Sequence, residues 1–294
     1  MFEGMNISEK LNAINDLCKS CGGLPGIPFW IPLETKIVRS VKGHGKTKLS
    51  ELTYKPIKYC NEYARATRPN ETAFYGCIGE CQESNDDLSA CASDSRETSF
   101  CKCKEYSSKT TKAYTNARVM SIVECSPSYR NSEKPIDDEK YTTSIWIANR
   151  PIQAICFITS ETFPKAHGAT IDGIRAIYEQ NIETHKYSQK QIELLAEINK
   201  EFTKVVKSGQ EDEYMITANL CHSCLYAPDA DGIQNEAVIY ASVQAAGELG
   251  LNVAIRPDVA DNCLILDHVI EHTYDTQCHL GFIHKELSSI DMNS

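Results

Sequence analysis

Arg39, Arg65, Tyr75, Glu124 and Ser242 are the side chains whose types and settings could do chemistry together. They lie in Ile37-Val38-Arg39, in the run from Arg65 to Gly76, in the run from Ala117 to Glu124, and in Ile239-Tyr240-Ala241-Ser242-Val243. Asn252-Val253-Ala254-Ile255 follows the last of these. Guanidinium groups suit a diphosphate because their planar fork matches it with paired hydrogen bonds. A carboxylate can hold sugar hydroxyls and offset positive charge that develops on a ribose. A tyrosine ring offers a packing surface, and a serine hydroxyl offers a hydrogen bond. Together they suit a pocket for a phosphorylated nucleotide. Taken singly, each has an ordinary reading. Arg39 reads as a solvated residue on an edge strand, and Tyr75 as a core aromatic with its hydroxyl at the surface. Glu124 reads as an exposed carboxylate ending an apolar strand, and Ser242 as a serine before a turn.

These side chains need elements to hold them. Asn6 with Glu9 predicts a capping box, and Ile7, Leu11, Ile14 and Leu17 recur at helical spacing behind it. Residues 24 to 33 hold three prolines and read as a connector packed through Phe29 and Trp30. Lys36 to Val41 reads as the first strand of the main domain. Strand character returns at Arg118 to Val123, Ser144 to Ile147 and Ala154 to Ile158. Residues 171 to 183 read as a helix. Ser188 with Gln191 predicts a second capping box, before a helix whose apolar face is Ile192, Leu195, Ile198, Phe202 and Val205. Tyr214 to Leu225 reads as another helix, and Ala237 to Val243 and Leu251 to Ile255 as short strands. Strands mingle with helices without a regular alternation, so the expected fold class is α+β. The domain reading is 1–35 as an N-terminal helix and connector, 36–260 as the catalytic domain, and 261–294 as a C-terminal extension. Residues 79–113, polar and cysteine-rich, read as an insertion.

The chain has 294 residues, 41% hydrophobic and 24% charged, the mix of a soluble globular protein. No apolar run approaches the roughly 20 residues that span a bilayer. The N-terminal residues lack a basic region followed by an apolar core, so no signal peptide is expected and the compartment reads as cytoplasmic. A net charge of −10 disfavours nucleic-acid backbones. The lysines and arginine from Lys36 to Lys58 form the strongest basic stretch, read as a solvated loop or as an attractor of an anionic small molecule.

Taken in order, the site strings resemble the RES-domain family, named for its arginine, glutamate and serine. Arg39 matches the family's early arginine, and Arg65 the arginine of its second segment. Tyr75 matches the tyrosine, Glu124 the glutamate, and Ser242 the serine, with Ala241 where proline is common. The resemblance covers roughly residues 36 to 260. The cysteine-rich stretch separates Tyr75 from Glu124, where compact members have a single helical segment. Glu80 is the nearer alternative, without the preceding strand pattern.

The resemblance implies a fold similar to ADP-ribosyltransferases and a reaction on NAD at the nicotinamide–ribose bond. Relatives act as toxins that degrade NAD by phosphorolysis or hydrolysis, or transfer ADP-ribose to a protein, and many pair with an antitoxin. In this reading Glu124 holds the ribose, Arg39 and Arg65 grip the diphosphate, Tyr75 packs against nicotinamide or ribose, and Ser242 bonds nicotinamide or a phosphate.

A rival reading starts from the 14 cysteines, which in a reducing compartment are thiols or metal ligands. Cys18/Cys21 and Cys221/Cys224 are two Cys-x-x-Cys pairs, each half of a tetrahedral zinc site. That makes a structural zinc, in a non-catalytic zinc- or thiol-containing binding module, the alternative. Cys221-His222-Ser223-Cys224 is also a redox candidate if it opens a helix. His268 and His272 fall on a segment that reads as strand, which places both on one sheet face. Gly43 to Thr47 lacks the spacing of a phosphate-binding loop.

Overall fold

Asn6 and Ser188 each start a helix by the mechanism their spacing predicts. The Asn6 side chain accepts from the Glu9 amide at 3.0 Å while Glu9 reaches back to the Asn6 amide at 2.8 Å. Ser188 and Gln191 make the same reciprocal pair. Each cap satisfies amides that helix geometry leaves open, worth about 1 kcal/mol apiece. The computed structural model describes residues 2, 4–43, 57–58, 72–79, 117–125, 139–159, 169–184, 186–204, 206, 211–227, 232, 234–242, 250–275 and 281–287. Arg65, Glu80 and nearly all of the 79–113 insertion lie outside the described residues.

Among the described residues there are six α-helices: α1 (Ile7–Ser20), α2 (Ala117–Cys125), α3 (Ala169–Glu183), α4 (Gln189–Phe202), α5 (Met215–Tyr226) and α6 (Pro257–Cys263). The strands are β1 (Ile27–Ile31), β2 (Lys36–Lys42), β3 (Ile57–Lys58), β4 (Thr72–Ile78), β5 (Lys140–Ala148) and β6 (Ile152–Phe157). They continue with β7 (Ala237–Ala241), β8 (Leu251–Ile255), β9 (Leu264–Asp275) and β10 (Gly281–Leu287). Nine form one path, in the order β1-β6-β7-β8-β4-β2-β5-β9-β10, and β3 pairs with β4. Among the described strands only β6 and β7 run parallel, so the sheet is mixed and the fold is of mixed α/β class. Segments 1–35 and 261–294 both supply strands to this sheet.

Two elements differ from the sequence reading. Residues 24–33 are not only a connector, because Ile27–Ile31 forms β1. Ile27, Phe29 and Ile31 are buried in alternation, and Trp30, expected to pack, is 59% exposed. Pro28 suits this position because β1 ends the sheet order among the described strands, with a partner on one side only.

The second difference concerns Glu124. The run Arg118–Val123 is helix α2, not a strand. Its β-branched Val119, Ile122 and Val123 favour a strand locally, but Ala117, Met120, Ser121 and Glu124 recur at helical spacing. Ala117 and Met120 pack on Val38, Cys77, Ile145 and Ile270 of the sheet, and this tertiary burial overrides the local preference. The Ser40 hydroxyl ties β2 to α2 and β5, lying 2.7 Å from Ser121 and 2.6 Å from Thr143.

Strand alternation and register divide the sheet into two faces. One carries Val38, Ser40, Cys77 and Asn252 beneath α2, and by register Tyr240 and Phe157, on which Phe202 of α4 stacks. The other carries Ile37, Arg39, Phe74 and Trp146, and by register Phe29, which α3 approaches closely at Gly173. Helix α1 packs against α4 and α5, with Lys10 paired to Glu201 at 2.8 Å.

Candidate functional site

Helix α2 brings Glu124 over the ends of β7 and β8, where two residues distant in sequence meet it. The Ser242 hydroxyl, fully buried at the end of β7, donates to Glu124 Oε1. Asn252 Nδ2 donates to the same oxygen at 2.8 Å. Ser242 is held in turn by its backbone amide, which bonds the Gly250 carbonyl at 3.1 Å. Hydrogen bonds to a carboxylate are charge-assisted, so these fix its orientation as well as its position.

Behind Asn252 lies Cys77, its direct partner on β4. The Cys77 thiol donates to Asn252 Oδ1 at 3.3 Å. Burial, then the neighbouring Glu124 charge, then Cys125, push the Cys77 thiol well above its ordinary range, so it keeps the proton it donates. Sequence reasoning left Cys77 out of the site, and placed Asn252 in a site string without giving it a role. The polar Asn252, second in the otherwise apolar strand Leu251–Ile255, is the signal that marks its role.

Gly250 lets α2 come this close. A Cβ there would lie 2.6 Å from Met120 Cγ and 3.0 Å from Met120 Sδ. The side chain of Met120, one turn before Glu124, passes over the glycine.

Tyr75 lies on the α2 face of β4, two positions before Cys77 and opposite Ala254, and it is half-buried. Arg39 does not join these residues. Its side chain is 5% exposed and belongs to the other face of the sheet, with its guanidinium 5.4 Å from the Phe74 ring centroid. Phe74 meets Trp146 edge-on at 5.5 Å, and Trp146 Nε1 donates to Ser144 at 2.8 Å. Arg39 is thus neither a solvated edge residue nor a neighbour of Glu124. It lies opposite Ser144 on β5 in an aromatic setting.

The two Cys-x-x-Cys pairs approach one another where α1 packs on α5, and all four residues are free thiols. Burial pushes Cys221 up to about 12; burial, then Cys21, pushes Cys18 up to about 11. Among the described residues, no group of three or more His, Cys, Asp and Glu is placed to hold a metal ion. Cys221 and Cys224 lie within α5, not at its start. His268 and His272 lie on β9, as the strand reading expects.

The chain matches no protein-family model, no curated protein and no solved structure. The site must be judged on its own chemistry. That chemistry is a half-buried carboxylate held by a hydroxyl and an amide at the seam between a helix and a sheet, with Tyr75 on the same sheet face. No helix among the described residues is long and apolar enough to cross a membrane.

Proposed function

We propose that the chain is an enzyme that consumes NAD by cleaving the bond between nicotinamide and ribose, with Glu124 as its central carboxylate. The observation that carries this reading is the convergence of Glu124, Ser242 and Asn252 on one carboxylate oxygen. Two of the three residues that a RES-like site requires thereby meet across 118 positions of sequence. The reading includes an ADP-ribosyltransferase-like core within the mixed sheet.

As the C1′–N bond breaks, its electron pair leaves with nicotinamide, whose ring nitrogen loses its positive charge. Positive charge builds on the ribose instead. Glu124 faces that charge and takes the ribose hydroxyls, and its fixed orientation means little reorganisation is needed in the transition state. The leaving group is already cationic, so no general acid is required. Water, or phosphate, then bonds C1′; water gives up a proton in doing so. Tyr75 packs on the ring or the sugar. Ser242 spends its hydrogen on Glu124, so its role is to hold the carboxylate. Arg65 remains the diphosphate ligand in this reading, and Arg39 supports β2 and β4 from the far face. Loss of NAD would poison the producing cell, so a neutralising antitoxin belongs to the same reading.

Proton NMR of NAD incubated with the protein, with and without phosphate, tests this. The expected result is free nicotinamide, with ADP-ribose in water alone and its 1-phosphate when phosphorolysis occurs. NAD left intact under both conditions overturns NAD hydrolysis and phosphorolysis. Transfer of ADP-ribose to an added protein would then identify a protein-modifying relative of the same chemistry.

A further inference from the structure

A carboxylate that stabilises a cation must point one way, and the hydrogen-bonded chain behind Glu124 is built to hold it so. Cys77 Sγ–H donates to Asn252 Oδ1, Asn252 Nδ2–H donates to Glu124 Oε1, and Ser242 donates to the same oxygen. An amide side chain can turn over, exchanging its oxygen and nitrogen at nearly the same positions. Turned over here, it would set its carbonyl oxygen against Glu124, and the thiol would have to turn and accept weakly at sulfur from the NH2. The observed orientation satisfies the amide at both ends. Cys77 is 3% and Asn252 9% exposed, so water has little room to replace either partner.

We propose that Cys77 and Asn252 act as a positioning relay for Glu124: the thiol supports the orientation of the amide, and the amide donates to the carboxylate and holds it in place. The relay deepens the reading of Glu124 as the site's carboxylate and rests on it for its purpose, though not for its physics. A buried thiol is a weak donor, so Cys77 contributes less than Asn252. Ser242 supplies the second bond to the same oxygen, and it has no part in the amide's polarity.

The test reads Glu124 directly, without substrate. The side-chain carboxyl carbons of glutamate are labelled with 13C, and the Glu124 signal is identified by its loss in Glu124→Gln. Its ionisation midpoint is then followed with pH. Asn252→Asp replaces a donor with a second carboxylate beside the first, and the midpoint should rise by about one pH unit or more. Cys77→Val keeps the bulk of the thiol and removes its proton, and the midpoint should rise by a smaller amount. Cys77→Ser restores a donor and should return the midpoint toward that of the unmutated protein. Where Asn252→Asp fails to fold, the Val and Ser pair carries the test. A Glu124 midpoint that stays put in Asn252→Asp, or that is the same in Cys77→Val and the unmutated protein, overturns the relay. NAD turnover on the same samples separates the two ideas. Midpoints that move in a protein that never consumes NAD support the relay and count against the proposed activity.

Discussion

Gly250→Ala tests whether the approach of α2 is what assembles the site. The added methyl would sit 2.6 Å from Met120 Cγ, 3.0 Å from Sδ and 3.1 Å from Cε. Ordinary carbon contacts lie near 3.5–4 Å, so Met120 or the helix must retreat by about 1 Å. Met120 is 2% exposed and packed, which limits how far its side chain alone can swing. Overpacking of this kind costs about 1–3 kcal/mol. If α2 yields, the 2.8 Å bond from Asn252 to Glu124 stretches toward about 3.8 Å, beyond hydrogen-bond reach. A misplacement of about 1 Å at a reacting group can cost on the order of 100-fold in rate. Thermal melting and nicotinamide release from NAD give the two readouts, and Met120→Ala provides the control. Removing the Met120 side chain is itself destabilising, by about 2–5 kcal/mol. In that background Gly250→Ala should add less than about 0.5 kcal/mol, because its obstacle is gone. An equal cost of Gly250→Ala with and without the Met120 side chain would show that Met120 is not the obstacle.

Other consequences are simpler to read. Arg39→Met should lower the melting temperature through lost packing and the lost contact with Phe74, about 0.5–2 kcal/mol, and should leave the KM for NAD within about two-fold. A raised KM at unchanged melting temperature would return Arg39 to the pocket. Alkylation of Cys18, followed by site-resolved mass spectrometry, should keep rising about tenfold per pH unit from pH 8 to pH 10, because burial and then Cys21 raise this thiol to about 11. A plateau near pH 9 would contradict that. Glu236 bonds Arg150 through both oxygens, at 2.7 and 2.9 Å, and accepts from the Gln153 amide at 3.0 Å. The Arg150 bond, foremost, holds its carboxyl below the ordinary range. A lowered folded-state value stabilises above the unfolded value, near 4.3, and is lost as pH falls through the folded value. Glu236→Gln should therefore cost about 1 kcal/mol near pH 7 and progressively less below pH 4 in denaturant melts. A cost that does not change with pH would count against the ion pair.

The helices were the most legible part of the fold, because capping and amphipathic spacing are local. Asn6 with Glu9, and Ser188 with Gln191, fix where α1 and α4 begin before any tertiary contact is known. Residues 117–125 show the limit: valine and isoleucine made a strand of what the sheet makes a helix. β1 was hidden for a related reason. Three prolines argue against a strand unless it lies at the end of a sheet, and sheet order is not a local property. The candidate site was legible in part. Glu124 and Ser242 were paired by motif order alone, and they touch. The face on which Arg39 lies depends on the register of β2 against β4 and β5, which its own sequence does not encode. Cys77 reads as one apolar residue among many until register sets it beside Asn252.

Nicotinamide release from NAD by Glu124→Gln, beside the unmutated protein at equal folded fraction, decides whether Glu124 carries the reaction. The substitution keeps the shape of the side chain and removes its charge. The unmutated protein should release nicotinamide, and the variant should lose at least about 100-fold of that rate, with the melting temperature changed by only a few degrees. A folded Glu124→Gln protein that releases nicotinamide at the unmutated rate would contradict that expectation.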